Sequence, residues 1–218
     1  MSRVSPILFN TDMVRATLDG SKTVMRQAIK PQPVYNERDG FNWKGSAYGT
    51  DIPPTVQGAA YNFQCAGPYQ PGDILYVRET WGVYSRYWWE ADYFMYRADF
   101  SDCDTTYEFD GHTCDLPKWR PSVHMPKEAA RIWLRVTDVR VERLQEITIA
   151  EIIKEGCADL WIDEARSMKL IDDAGNKNEF VDRWNLAVRR KDLPVYGWDA
   201  NPWVWRIEYE RCEKPEML

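Results

Sequence analysis

The chain has 218 residues, 44% hydrophobic and 28% charged, with a formal net charge of −6. That balance excludes a disordered or fibrous chain and suits one globular domain, or one domain carrying a large insertion. The acid excess argues against a binder of nucleic acid that works by bulk charge, and no apolar run approaches the roughly 20 residues that span a bilayer, so no membrane contact is expected.

Residues 1–16 hold no long apolar stretch and no small-residue cleavage site, so no secretory signal is expected. Pro6–Phe9 reads as a short strand. Asn10 or Thr11 can cap a helix running to about Asp19, with Gly20 as its C-terminal stop. Lys22–Ile29 reads as a second strand. Residues 30–70, rich in Pro, Gly, Asn and Tyr without a sustained period, read as a long loop or insertion. Pro71-Gly72-Asp73 is a turn feeding a strand over Ile74–Glu79. Tyr93–Arg97 is another strand candidate, and residues 98–127, including a second insertion over 98–117, read as irregular.

Ile132, Leu134 and Val136 alternate, then the apolar phase slips to Val139 and Val141; a β-bulge near Thr137-Asp138 would account for the slip. Thr148 and Glu151 form a capping-box pattern opening a helix that stops at Gly156. A further helix fits Asn178–Arg190, with Phe180, Val181, Trp184 and Ala187 on one face. Trp203, Trp205, Ile207 and Tyr209 alternate with Val204, Arg206 and Glu208 in a terminal strand. The elements add up to an α+β domain, with about five or six strands curled into a sheet or small barrel and helices at its ends.

Two compositional features bear on function. The 11 Trp, 12 Tyr and 7 Phe exceed what a core of this size needs, and flat side chains in a pocket stack on flat ligands. Charge is also segregated. Residues 90–115 hold eight carboxylates against the single Arg97, whereas residues 116–143 hold seven bases against three acids. The basic stretch is an ordinary charged strand or a face that meets phosphate; the acidic stretch is a solvated loop, a lid or an interface for protein. The five cysteines, Cys65, Cys103, Cys114, Cys157 and Cys212, are odd in number and irregularly spaced, and read as reduced thiols of a cytoplasmic protein. Cys103, His112, Cys114 and His124 include the ligand types of a zinc site but lack a tight pair, so neither metal nor other cofactor is expected.

Four segments in order resemble the ASCH family within the PUA-like superfold. They are Leu18–Arg26 with its Gly20-x-Lys22-Thr23 pattern; Pro71-Gly72-Asp73 with the strand behind it, ending Arg78-Glu79-x-Trp81; Val136–Val139 leading to the helix that ends Lys154-Glu155-Gly156; and Trp203–Tyr209. Trp119–Pro126 resembles a larger subset often encoded by bacteriophages and prophages. The resemblance implies a small β-barrel with flanking helices, related to domains that bind RNA or modified bases. It also implies a second activity, since one branch of ASCH proteins resembles an amidohydrolase that removes the acetyl group from N4-acetylcytidine with a Lys, a Thr and a Glu. The Lys carries over to Lys22 and the Glu to Glu155. The Thr falls on Met25, with Thr23 the nearest hydroxyl.

The candidate catalytic residues are therefore Lys22, Glu155 and Thr23. In a desolvated pocket the Lys22 amine would serve as a base or hold an oxyanion. Glu155 sits in the last turn of its helix, where the helix dipole disfavours a carboxylate unless a cation such as Lys22 compensates; that arrangement suits an acid/base group. Thr23 shares a strand face with Met25, about 6–7 Å away along the strand. Candidate ligand-binding residues are Arg26, Arg78, Glu79, Trp81, Trp119, Arg120 and His124. The arginines would meet phosphate and the tryptophans would stack on bases. Three functions remain open: a module binding RNA, DNA or a nucleoside base; an amidohydrolase or ribonuclease using Lys22 and Glu155; and a phage accessory protein acting through protein contacts.

Overall fold

A computed structural model describes residues 3–49, 56–84, 93–109, 111–157, 161–163, 166–169 and 173–215. The chain opens with strand β1 (Val4–Leu8) and helix α1 (Thr11–Leu18). Asn10 caps α1 by accepting from the Met13 N–H at 2.9 Å, and Gly20 follows at φ +85°, a left-handed conformation that a glycine adopts without steric penalty. Strand β2 (Val24–Ala28) comes next.

The segment read as a long loop or insertion over 30–70 is not a loop throughout: it holds a three-stranded antiparallel meander, β3 (Val34–Asn36), β4 (Gly40–Trp43) and β5 (Ser46–Tyr48), followed by helix α2 (Val56–Gln64). Strands β6 (Ile74–Arg78), β7 (Trp81–Tyr84) and β8 (Tyr93–Tyr96) follow, and β7 pairs with β8. The stretch read as irregular contains the hairpin β9 (Thr106–Phe109) and β10 (His112–Asp115).

Strand β11 (Trp133–Arg143) runs unbroken through the phase slip; Leu134 and Val136 are buried, then Val139 and Val141. Helix α3 (Ile149–Lys154) carries the Thr148–Glu151 capping box that the sequence announces. The short pair β12 (Trp161–Asp163) and β13 (Arg166–Lys169) precedes helix α4 (Asp173–Ala187), helix α5 (Leu193–Tyr196) and strand β14 (Trp203–Cys212).

The chain divides into two compact units. The first comprises Met1–Asp19, Asp73–Arg135 and Arg211–Leu218; the second comprises Gly20–Gly72 and Val136–Glu210. In the first unit β1 pairs with β6 in parallel and β6 pairs with the start of β11 antiparallel. Tyr76, Trp81, Met125, Ala129 and Trp133 form its buried cluster. In the second unit the order is β11-β14-β2, and β14 pairs antiparallel with β2 so that Arg206 lies opposite Arg26. The fold is mixed α+β and rich in sheet. Among the described residues the strand pairings close no barrel, so the small barrel expected from the resemblance is absent from them. No helix among them is long and apolar enough to cross a membrane.

Strand β14 is buried on both faces. On one face, Trp203 and Trp205 meet rings of the meander and α2. Phe41 lies 4.8 Å from Trp203, and Phe63 lies 5.0 Å from both Phe41 and Trp205. On the other, Val204 packs with Leu144, Ile152, Cys157 and Phe180. Burial pushes the Cys157 thiol up to about 11, so at neutral pH it is an inert core side chain. Much of the aromatic surplus is thus structural, with segment 30–70 supplying its share of the core. Phe63 is the ring through which Phe41, Tyr48 and Trp205 meet. Phe63→Ala is expected to lower unfolding stability by about 3–5 kcal/mol, read from the shift in a urea denaturation curve.

Candidate functional site

The second unit gathers a buried cluster of charge around the motif residues. Its construction starts on α3. Glu151 and Glu155 are four residues apart and so emerge on one face of the helix. Two carboxylates at this spacing repel each other, and the second also meets the negative end of the helix dipole. Cations on the sheet below resolve both conflicts. The Lys22 ammonium lies 2.7 Å from Glu155 Oε2, and Arg26 Nη1 lies 3.0 Å from Glu155 Oε1. Arg26 Nη2 reaches Glu151 Oε2 at 2.8 Å and Glu142 Oε1 at 2.7 Å. Arg206 Nε reaches the other oxygen of Glu151 at 2.8 Å, and Nη2 reaches Glu208 at 3.1 Å.

Glu151 therefore bridges the two guanidiniums that face each other across β2 and β14, a like-charge pairing that would otherwise destabilise the sheet. Burial pushes the Glu151 carboxyl up, but the charges of Arg26 and Arg206 and the Thr148 N–H outweigh it and hold the group below its ordinary value. Burial dominates for Glu142, which stands above its ordinary value despite Arg26. Arg206 loses to burial but gains more from Glu151 and Glu208, and is raised.

Lys22 and Glu155 also meet through a backbone bridge, and Thr23 N–H donates to Lys154 O at 2.9 Å. The ammonium is saturated. Besides Glu155 Oε2 it donates to Val24 O at 2.8 Å and Glu155 O at 3.0 Å, which uses all three of its hydrogens. Lys22 is 4% exposed and Glu155 8%. The structure thus brings Lys22, Glu155 and Arg26 together, and Thr23 enters through its backbone. Met25, next to Arg26 along the same strand, is buried.

The other candidates belong to the first unit. Glu79 is 1% exposed and clasped by Arg131 at 2.8 and 3.0 Å, and Arg131 also holds Asp99 at 2.8 Å. Burial raises the Glu79 carboxyl against the pull of Arg131. This carboxylate, expected at a ligand, is spent on an internal ion pair. Trp81, expected to stack on a base, is 5% exposed and part of the core cluster. The Arg120 guanidinium lies over its ring at 5.0 Å, and Phe94 meets it edge-on at 5.8 Å. Trp119 is half-buried beside Phe100 at 5.8 Å, with the Arg97 guanidinium 5.9 Å from its ring. Arg120 and His124 are exposed, and Arg78 is half-buried against Tyr76 at 5.6 Å.

Sequence reasoning missed Glu142, Glu151 and Arg206 as members of the cluster. The signal lay in the four-residue spacing from Glu151 on the helix to Glu155 at its C-cap, and in an arginine set between Trp205 and Ile207 in a strand buried on both faces. Among the described residues no group of three or more His, Cys, Asp or Glu is arranged to hold a metal ion. Compared with protein-family models, curated proteins and solved structures, the chain matches none.

The lowered Glu151 carboxyl stabilises the fold above its ordinary value of 4.5, and that contribution disappears as pH falls through the folded-state value. Glu151→Gln is therefore expected to lose about 1–3 kcal/mol at neutral pH, with the deficit shrinking below pH 4.5. The raised Glu142 has the opposite sign: its contribution is present at low pH and lost as pH rises, so any deficit of Glu142→Gln shrinks toward neutrality. Urea unfolding across pH checks both slopes.

Proposed function

We propose that the chain is a binding module for single-stranded nucleic acid, or for a nucleobase carried in one, of the ASCH and PUA-like type that its motifs resemble. One observation carries this reading. In the first unit, four cations with no carboxylate partner among the described residues lie against aromatic rings. Arg78 and Lys127 approach Tyr76 at 5.6 and 5.8 Å, Lys127 and Lys214 approach Trp133 at 6.0 and 5.9 Å, and Arg120 covers Trp81 at 5.0 Å. Charges left without counter-ions suit a polymer of phosphates; the rings beneath them are buried, so stacking on bases falls to the half-buried Trp119. This positive patch is local, which reconciles the reading with a net charge of −6.

The second unit favours binding over covalent hydrolysis. Met25 offers a thioether where the amidohydrolase pattern has a hydroxyl, and the Lys22 ammonium has no hydrogen left for a substrate. Amide hydrolysis of N4-acylated cytidines, or cleavage of RNA, is the second reading; the 2.7 Å contact between Lys22 and Glu155 favours it.

Fluorescence anisotropy with labelled single strands of about ten nucleotides tests the first reading. Affinity is expected to fall as salt rises from roughly 50 to 200 mM, and Trp119→Ala is expected to weaken binding by about 1–3 kcal/mol. Absence of binding to RNA and DNA alike would overturn the module. Turnover of N4-acetylcytidine that is lost in Lys22→Ala would install the hydrolase in its place. Neither binding nor turnover would leave a protein that acts through protein contacts.

A further inference from the structure

Among the described residues, two buried N–H donors of the first unit have no acceptor, Nε of Arg78 and Nε1 of Trp81. Orphaned donors are few in native proteins, because each forfeits its bonds to water without replacement. Both residues border the same buried cluster. Trp81 belongs to the buried cluster that includes Tyr76, and Arg78 lies against the Tyr76 ring.

A single segment, Arg120–Met125, runs along both. Arg120 exchanges backbone hydrogen bonds with Trp81 at 2.7 and 3.2 Å. The Val123 carbonyl accepts from Arg78 Nη1 at 3.3 Å, and the Met125 sulfur accepts from the Glu79 N–H at 3.2 Å. The segment therefore engages the backbone of Trp81 and Glu79 and one end of the Arg78 guanidinium, and leaves the indole N–H and Arg78 Nε unpaired. The guanidinium over the Trp81 ring belongs to Arg120, an exposed side chain with no carboxylate partner among the described residues.

We propose that Arg78 and Trp81 form the donor subsite for one nucleotide of the bound strand. Arg78 takes a phosphate oxygen, and the Trp81 indole N–H takes an acceptor oxygen of the same nucleotide, admitted when the Arg120 side chain turns outward. Trp81 then reads its ligand through its N–H edge while Phe94 stays against the ring. The inference rests on the binding reading above and assigns the residues that carry it.

Trp81→Phe keeps a ring and deletes the donor, and Arg78→Gln deletes the charge together with Nε. Each variant is titrated against a labelled single-stranded RNA of about ten nucleotides, and its urea midpoint is measured alongside. Trp81→Phe is expected to bind about 3- to 10-fold more weakly; its midpoint falls only by the packing that the smaller ring gives up, since the free protein loses no hydrogen bond at that atom. Arg78→Gln is expected to weaken binding and to reduce the salt slope by about one. Wild-type affinity in both variants would overturn the subsite and leave the module standing; no binding by the wild-type protein would overturn both. Should Trp81→Phe unfold, Arg78→Gln decides, and full affinity there overturns the proposal. Competition by cytidine monophosphate assigns the phosphate to a free nucleotide and lack of competition assigns it to the strand backbone; either supports the subsite.

Discussion

A guanidinium with no exposed side-chain surface has to bring its counter-charge with it, because stripping water from an unpaired ion costs several kcal/mol. Arg26 is such a group, and its three carboxylates come from β11 (Glu142), from α3 (Glu151) and from the residue that caps the C-terminus of α3 (Glu155). The strand that carries Arg26 therefore fixes where β11 and α3 lie within the second unit. Hydrophobic contact alone is less selective, since an apolar face tolerates sliding and rotation that a forked, directional ion pair does not. The helix has six residues, too few for stability by its own hydrogen bonds. Its capping box and its pairing to Arg26 and Arg206 supply what length does not.

The same constraint explains why Arg206 stands in an otherwise apolar strand. Strand β14 alternates its faces, and the face that carries Val204 also carries Arg206. Val204 meets the cluster formed with Ile152 and Phe180, while Arg206 meets Glu151, Glu208 and Asp138. One strand face thus passes from an apolar contact to an ionic one within two residues, and Glu151 on α3 receives the charge.

The long regular elements were legible because their signals are local. Asn10 and Gly20 bracket α1, Thr148 and Gly156 bracket α3, and the aromatic alternation marks β14. The meander over 34–48 was not legible. Its strands hold three or four residues each, too few to show a period of two, and its Gly and Asn residues serve turns that resemble loop composition. The contact of Lys22 with Glu155 was anticipated from motif positions, but the saturation of the cluster was not. It depends on Glu142 and Arg206, which are remote in sequence from both motifs and reach the site only through strand pairing. The fates of Glu79 and Trp81 were hidden for a similar reason, since Arg131, Arg120 and Phe94 lie outside the motif that contains them.

Saturation also decides what chemistry is open to Lys22. An ammonium that already donates to two carbonyls and a carboxylate oxygen stabilises charge on a ligand only by exchanging one of these partners. Exchange at Val24 O or Glu155 O would expose a backbone carbonyl buried beside it, and exchange at Glu155 Oε2 would leave that carboxylate to Arg26 alone. In the first unit the imbalance runs the other way. Locally, around Tyr76, Trp81 and Trp133, Arg78, Trp81, Arg120, Lys127 and Lys214 offer donors and cations without a carboxylate partner among the described residues, and an incoming anion would fill valences there without breaking an ion pair. The charge-balanced cluster around Arg26 is suited to holding the second unit in shape, since every strong donor in it already has its acceptor.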